Sequence, residues 1–202
     1  MLIVETGIGQ ANVARALDWL LAKPRIGNVA YVPRSLVFAG YAGALIDSLR
    51  VGDIVYAEEI VDRHGGRWPS TFGAEGPWQR GRVLTIEHLS ATPAEKRVLA
   101  AEHQAIAVEM ESAIFAARCT AARLPFACVR AISDEVSTTL SPSLTTLLAG
   151  GTVSPWRALK AVVRHPSLVP EFWRLARDTK RASEQLGIAL GKLLTLPVPG
   201  EL

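Results

Sequence analysis

Short apolar runs alternate with segments of helical periodicity from residue 2 to about residue 132. The clearest runs are Ala105–Glu109, which leads directly into a helical segment, and residues 126–132, which follow Pro125. Such alternation is typical of strand–helix–strand units, in which the strands lie parallel and helices cover both faces of the sheet. The pattern therefore predicts an α/β fold with a largely parallel sheet.

The size and composition of the chain limit the classes of protein it can belong to. It has 202 residues, of which 49% are hydrophobic and 20% charged. These values exclude an intrinsically disordered protein and predict a single domain over residues 1–202. The net charge of +3 is too small to indicate nucleic acid as a partner. We find neither a signal peptide pattern nor an apolar run of about 18 residues, so we expect a cytoplasmic protein.

Local patterns predict the remaining elements of the first part of the chain. Helical spacing from Val13 to Leu21 predicts a helix that ends before Pro24, and a capping box at residues 92–95 starts another. Further predictions are strands at 2–4, 35–40, 53–61 and 82–87, a tight turn at 40–44, a long loop at 62–80 and a helix at 110–124.

The last 51 residues, 152–202, show only helical patterns and predict a helical C-terminal extension. Apolar spacing over residues 172–193 indicates one long amphipathic helix. Residues 157–181 contain seven basic and two acidic side chains beside several aromatic ones. This segment fits either a peripheral contact with a membrane surface or an ordinary solvated helix face.

The sequence lacks several familiar cofactor- and metal-binding motifs. The Gly7-Ile8-Gly9 turn lacks the third glycine of a dinucleotide fingerprint, because Asn12 stands in its place. The four histidines are scattered without metal-ligand spacing, so we predict no metal and no organic cofactor. Cys119 and Cys128 are expected to be buried, reduced thiols.

Acidic residues follow two of the predicted strands. Glu109 and Glu111 flank Met110 at a strand–helix junction, and Ser133 and Asp134 end the next apolar run. A carboxylate can accept two hydrogen bonds from sugar hydroxyls, and an aspartic acid in a partly closed cleft can act as a general acid. The alternative is that both glutamates stabilise the start of the helix. Spacing alone does not separate these interpretations.

Four ordered segments carry a resemblance to a known family. They are TGIGQANVA (6–14), AGYAGAL (39–45) with VGDIV (51–55), VEMESA (108–113) and PFACVRAISD (125–134). They resemble the nucleoside phosphorylase/nucleosidase superfamily, in particular its methylthioadenosine/S-adenosylhomocysteine nucleosidase branch. The resemblance implies three layers, α/β/α, around a mixed, largely parallel central sheet. It also implies cleavage of the N-glycosidic bond of a purine nucleoside, a 5′-substituted adenosine, in a homo-oligomer, with a dimer favoured.

The resemblance also assigns roles to residues. Asp134 would protonate or hydrogen-bond the purine at N7 with the support of Ser133, while Met110 packs on the ribose and Glu111 holds its 2′- and 3′-hydroxyls. Gly40, Ala42 and Gly43 would let the backbone approach the ribose or the nucleophile. The full predicted set is catalytic Asp134 with substrate-binding Met110, Glu111, Glu109, Ser133, Gly40, Ala42 and Gly43.

Departures from the family pattern leave two questions open. Tyr41 replaces a small hydroxyl residue and would either fill the phosphate or water position or turn outward. The family's first strand and hairpin, which supply the residue for water or phosphate, have no counterpart in the sequence. Hydrolysis and phosphorolysis, with phosphate as co-substrate, are therefore both retained, as is a catalytically impaired nucleoside-binding or scaffold protein.

The tail carries a second resemblance. The pattern WRxL at 156–159, PSLVP at 166–170 and RLARD at 174–178 is similar to the tail of hopanoid-associated phosphorylase-like proteins, which act on adenosylhopane. A lipid-linked nucleoside would give the basic segment 157–181 a reason to lie at a membrane surface.

Overall fold

The structure of the chain is a computed structural model that describes residues 2–72, 76–141 and 169–193. Its helices are α1 (Gln10–Leu21), α2 (Pro93–His103), α3 (Ser112–Ala121) and α4 (Val169–Leu193). Its strands are β1 (Arg25–Ile26), β2 (Val29–Ala30), β3 (Leu36–Ala44), β4 (Ile54–Asp62), β5 (Arg67–Pro69), β6 (Gln79–Thr85), β7 (Ala105–Glu109) and β8 (Phe126–Asp134).

The main sheet has six strands in the order β5-β4-β6-β7-β3-β8, and β8 also pairs with β4. That last pairing closes five of the strands into a ring. The ladders β3–β8, β4–β6 and β6–β7 are parallel, whereas β3–β7, β4–β5 and β4–β8 are antiparallel. The predicted mixed sheet, in which the longest ladders are parallel, is confirmed.

Helices cover both faces of β8, because alternate residues of a strand point to opposite sides. Phe126 joins the core cluster under α1 and α3, where Phe115 stacks on Phe38 with ring centroids 4.7 Å apart. Val129 faces the other way and packs in a cluster with Ala182 of α4. The predicted α/β/α arrangement is therefore confirmed.

The N-terminus of α2 shows the predicted capping box. The Thr92 hydroxyl accepts a hydrogen bond from the Glu95 amide at 3.2 Å, and Pro93 occupies the first helical position, where no amide is needed. Gln104 ends the helix in the left-handed conformation with a φ of 52°. The box fixes the first turn of α2, which carries Lys96 toward the sheet.

The tight turn predicted at 40–44 is wrong, since these residues continue β3 through a register shift between Ala42 and Gly43. The small residues are needed for space rather than for a turn. A Cβ at Gly40 would lie 2.2 Å from Nη1 of Arg130, and one at Gly43 would lie 2.9 Å from Oδ2 of Asp134.

Two further predictions differ from the structure. The stretch 2–4 forms no strand, and Ile3 is exposed. Three apolar residues are not held as a strand unless they pair with a neighbouring strand, and residues 2–4 have no strand partner among the described residues. On its β7 side, β3 is paired only at Gly43 and Ala44. The predicted loop at 62–80 contains β5, which returns as a hairpin along β4.

The long C-terminal helix is confirmed and begins slightly earlier than predicted. It includes Pro170, which is tolerated because an amide in the first helical turn has no intrahelical acceptor. The start of the predicted extension at 152 lies outside the described residues. None of the four described helices has the length and hydrophobicity of a membrane-spanning segment.

Candidate active site

The acidic residues that the sequence singles out lie at the ends of the two strands that flank β3. In the register of the sheet, Gly43 pairs with Asp134 of β8 on one side and with Val108 of β7 on the other. Asp134 and the end of β7 are therefore about two strand spacings, or roughly 10 Å, apart. The topology brings together carboxylates that are distant in sequence.

Asp134 is held by donors on both of its oxygens. The Ser133 hydroxyl donates to Oδ1 at 2.8 Å, and the Lys96 ammonium donates to Oδ2. Lys96 Nζ also donates to the carbonyl of Glu135 at 2.8 Å. The side chain of Asp134 is 19% exposed, whereas that of Lys96 is 1% exposed. The carboxylate is thus held by donors from the protein and remains partly exposed to solvent.

Glu109 is buried, and its carboxylate is fully used by the protein. It accepts hydrogen bonds from the Thr85 hydroxyl at 2.6 Å, from the Ser112 and Glu111 amides at 2.9 and 3.0 Å, and from Arg130 Nη2 at 2.7 Å. This arrangement fits the alternative in which the glutamate stabilises the start of α3. A direct contact of Glu109 with substrate stays a prediction.

The side chain of Arg130 crosses the face of β3 at Gly40 to reach Glu109. Its guanidinium lies 4.3 Å from the centroid of the Phe38 ring, and Nη2 donates to the Ser112 hydroxyl at 2.6 Å. The Nε atom is buried without a hydrogen-bond partner among the described residues. The space above Gly40 is filled by this guanidinium. Sequence reasoning missed Arg130, although a lone charge within the apolar run of β8 is a usable signal.

Glu111 behaves differently from Glu109. It precedes α3 without capping it, and its Oε1 accepts a hydrogen bond from the Gly9 amide at the start of α1 at 2.9 Å. Its carboxylate also interacts with the backbone amide of Met110. Met110 lies half-buried between the two glutamates. Of the two acids, Glu111 receives fewer hydrogen bonds from the protein and is the one better able to bind a ligand.

Burial, and then the negative charge of Glu109, raise the pKa of the Glu111 carboxyl above its ordinary value of 4.5. The folded protein therefore binds this proton more tightly than the unfolded chain, and folding stability falls as pH rises through the raised pKa. We expect Glu111→Gln to be more stable than the wild type at neutral pH, with the difference vanishing below pH 4.5. Urea unfolding between pH 4 and pH 8 measures this difference.

The control for that prediction is Glu184→Gln on the exposed side of α4, which should change stability by less than about 0.5 kcal/mol at any pH. A stability difference for Glu111→Gln that grows as the pH falls would contradict the assigned direction.

Tyr41 points away from these residues. Its hydroxyl donates to the Ser183 hydroxyl of α4 at 2.6 Å, and Ser183 donates in turn to the Thr179 carbonyl. Of the two alternatives that the sequence left open for Tyr41, the structure shows the outward one. The tyrosine ties β3 to the C-terminal helix.

The two cysteines belong to the core, and Sγ of Cys128 lies 3.2 Å from the Ser112 hydroxyl. Cys119 and Cys128 are free and buried, as predicted, and burial raises the pKa of the Cys119 thiol to about 12. Over the described ranges, no group of three or more His, Cys, Asp or Glu side chains could hold a metal ion.

The site places acidic residues at the strand ends of a mixed α/β fold, and comparison with known families shows the class of protein. The model of the Phosphorylase superfamily matches residues 1–88 and 75–148, which supports an enzyme that cleaves a glycosyl bond. The chain belongs to the Phosphorylase superfamily. The family resemblance drawn from the four sequence segments is confirmed.

Individual relatives lie in the nucleosidase branch. The chain is 25% identical over 191 positions to the 5′-methylthioadenosine/S-adenosylhomocysteine nucleosidase of Staphylococcus aureus, with 81% of each chain covered. The Helicobacter pylori nucleosidase bound to butyl-thio-DADMe-Immucillin-A has a TM-score of 0.56 at 18% identity, covering 79% of this chain and 77% of the other. The futalosine hydrolase of Helicobacter pylori gives the same values. The two solved structures support the fold alone.

Proposed function

We propose that this protein cleaves the N-glycosidic bond of a 5′-substituted adenosine, such as methylthioadenosine or S-adenosylhomocysteine. The observation that carries the proposal is the placement of Asp134 at the end of β8 and of Glu111 two residues after the end of β7, since both strands pair with β3. Both side chains are partly accessible, and both are held by hydrogen bonds from the protein. The similarity to nucleosidases supports the same class of substrate.

The two carboxylates suit the two charges that develop in the reaction. As the C–N bond breaks, its electron pair moves to the purine and the sugar becomes oxocarbenium-like. Asp134 delivers a proton to N7 of the leaving base. Glu111 accepts hydrogen bonds from the ribose hydroxyls, and its negative charge favours the cationic sugar. Met110 packs against the ribose between them.

The similarity to nucleosidases supports water rather than phosphate as the nucleophile. The test is to incubate the protein with methylthioadenosine, with and without inorganic phosphate, and to quantify adenine and the sugar product. We expect adenine and free methylthioribose in both reactions. A methylthioribose phosphate formed only with phosphate would show phosphorolysis instead. Nucleoside binding without adenine release would indicate a catalytically impaired binding protein.

The proposal extends to nucleosides whose 5′ substituent is a lipid, of the adenosylhopane type. Helix α4 exposes Trp173 at 74%, with Arg177 and Lys180 exposed on the following turns. An exposed indole beside cations favours a contact with an anionic lipid surface. Cosedimentation with vesicles containing phosphatidylglycerol tests the contact. Equal recovery of the wild type and Trp173→Ala with the vesicles would contradict it.

Domain organisation and assembly complete the proposal. We propose that residues 1–202 belong to one nucleoside phosphorylase-like domain. The protein assembles into a homo-oligomer, with a dimer favoured. Sedimentation equilibrium tests the assembly, and a monomer at micromolar concentration would contradict it.

A further inference from the structure

We propose that Lys96 is a positioning residue for Asp134, an inference that rests on the proposed function. Its ammonium donates to Oδ2 of Asp134 and faces the charge that appears when the carboxyl group loses its proton, which leaves Oδ1 as the oxygen that meets the purine. Lys96 comes from α2, 38 residues before its partner.

The surroundings of Lys96 do not explain a lysine at this position. The side chain is almost completely buried, and beside it on the same helix Arg97 is 60% exposed. Burying an ammonium is costly, and a well-packed apolar pair in place of a buried ion pair is often equally stable or more so. Folding alone therefore gives little reason to keep Lys96 opposite Asp134.

The position of Lys96 within α2 strengthens this argument. It is the fourth residue of the helix, and its amide donates to the Thr92 carbonyl at 3.1 Å. A cation near a helix N-terminus is unfavourable, because the helix dipole is positive there. The capping box nevertheless fixes this turn of the helix, so the ammonium approaches Asp134 from a defined direction.

Two anchors give the ammonium a fixed geometry. Nζ donates to Oδ2 of Asp134 and to the carbonyl of Glu135, the next residue of the same segment. Gly43 gives the carboxylate room on the β3 side, where a Cβ would lie 2.9 Å from Oδ2. Oδ2 is thus enclosed by Lys96 and β3, and rotation of the carboxylate is restricted.

The chemical consequence concerns the charge on Asp134. Asp134 enters the reaction as the neutral acid, with a proton taken from solvent. When this proton passes to N7, the C–N electron pair remains on the purine and Asp134 becomes a carboxylate. Lys96 faces that carboxylate and stabilises the charge as it forms, without moving. Its contribution should therefore depend on whether the leaving group needs a proton.

The test compares Lys96→Met with the control Arg97→Met, which removes a cation from the exposed side of the same helix. With methylthioadenosine we expect Lys96→Met to lower kcat by about 10- to 100-fold with KM changed less than about twofold, as for an interaction made in the transition state. With 4-nitrophenyl riboside, whose leaving group needs no proton, the loss should be under about threefold. Arg97→Met should match the wild type on both substrates.

The double variant Lys96→Met/Asp134→Asn removes both charges and therefore leaves no unpaired ion if Lys96→Met alone folds poorly. We expect it to be no slower than Asp134→Asn, because Lys96 acts through Asp134. A slower double variant, or equal losses on both substrates for Lys96→Met, would overturn the inference. An active wild type with an unaffected Lys96→Met would overturn this inference alone. A wild type that releases no adenine would overturn the proposed function as well.

Discussion

Replacing Asp134 by asparagine should lower kcat for adenine release from methylthioadenosine by about 10²- to 10⁴-fold, the usual contribution of a general acid. Asparagine keeps the shape of the side chain and can accept the hydrogen bond from Lys96, but it has no acidic proton for the purine. Steady-state assays of adenine formation measure the loss, and circular dichroism shows whether the fold is retained.

Asp47→Asn is the matched control, because the Asp47 side chain is 78% exposed and its pairing with Arg97 is long, at 3.9 Å. This variant should keep wild-type kcat. Adenine release by Asp134→Asn at more than about a tenth of the wild-type rate would contradict the role of Asp134 as the acid.

Replacing Arg130 by methionine should cost about 3–5 kcal/mol of unfolding free energy, the typical effect of breaking a buried ion pair from one side. Arg130 and Glu109 are both almost completely buried, and their closest atoms lie 2.7 Å apart. Removing the guanidinium leaves Glu109 as a buried charge without a counterion and opens a cavity beside Gly40. Urea unfolding at neutral pH measures the loss.

Arg118→Met serves as the comparison, because the Arg118–Asp18 pair lies at the surface between α3 and α1. Its loss should cost no more than about 1 kcal/mol. The double variant Arg130→Met/Glu109→Gln should recover part of the stability lost in Arg130→Met. If Arg130→Met were no less stable than Arg118→Met, the buried network would not support the site.

Sequence periodicity was sufficient for elements with a long, regular pattern. The structure confirms α1, the capped start of α2 and the limits of β7, because apolar spacing and capping residues act within one element. The end of β8 extends to Asp134, two residues beyond the apolar run. Polar residues at a strand end add no apolar signal, so their place in the ladder depends on pairing with β3.

Contacts between distant segments were not predictable in the same way. The glycines at 40 and 43 look like a turn in sequence, but they are required by side chains from another strand. Lys96 looks like an ordinary surface lysine in a charged helix, and only the packing of α2 on the sheet reveals its burial. Such residues become identifiable once the partner across the fold is known.

The two glutamates around Met110 illustrate the same limit within the site. Their spacing places both at the start of α3, and either could stabilise the helix or bind a ligand. The difference comes from Arg130 and Thr85, which occupy Glu109, and from Gly9, which contacts Glu111 at one oxygen only. None of these partners is adjacent in sequence.

The central claim is that one site holds the purine at Asp134 and the sugar at Glu111. Calorimetric titration of free adenine and of free methylthioribose into Asp134→Asn and Glu111→Gln tests it most directly. We expect Asp134→Asn to weaken adenine binding and leave methylthioribose binding unchanged, and Glu111→Gln to do the reverse. Adenine affinity that is the same in Asp134→Asn as in the wild type would contradict the claim.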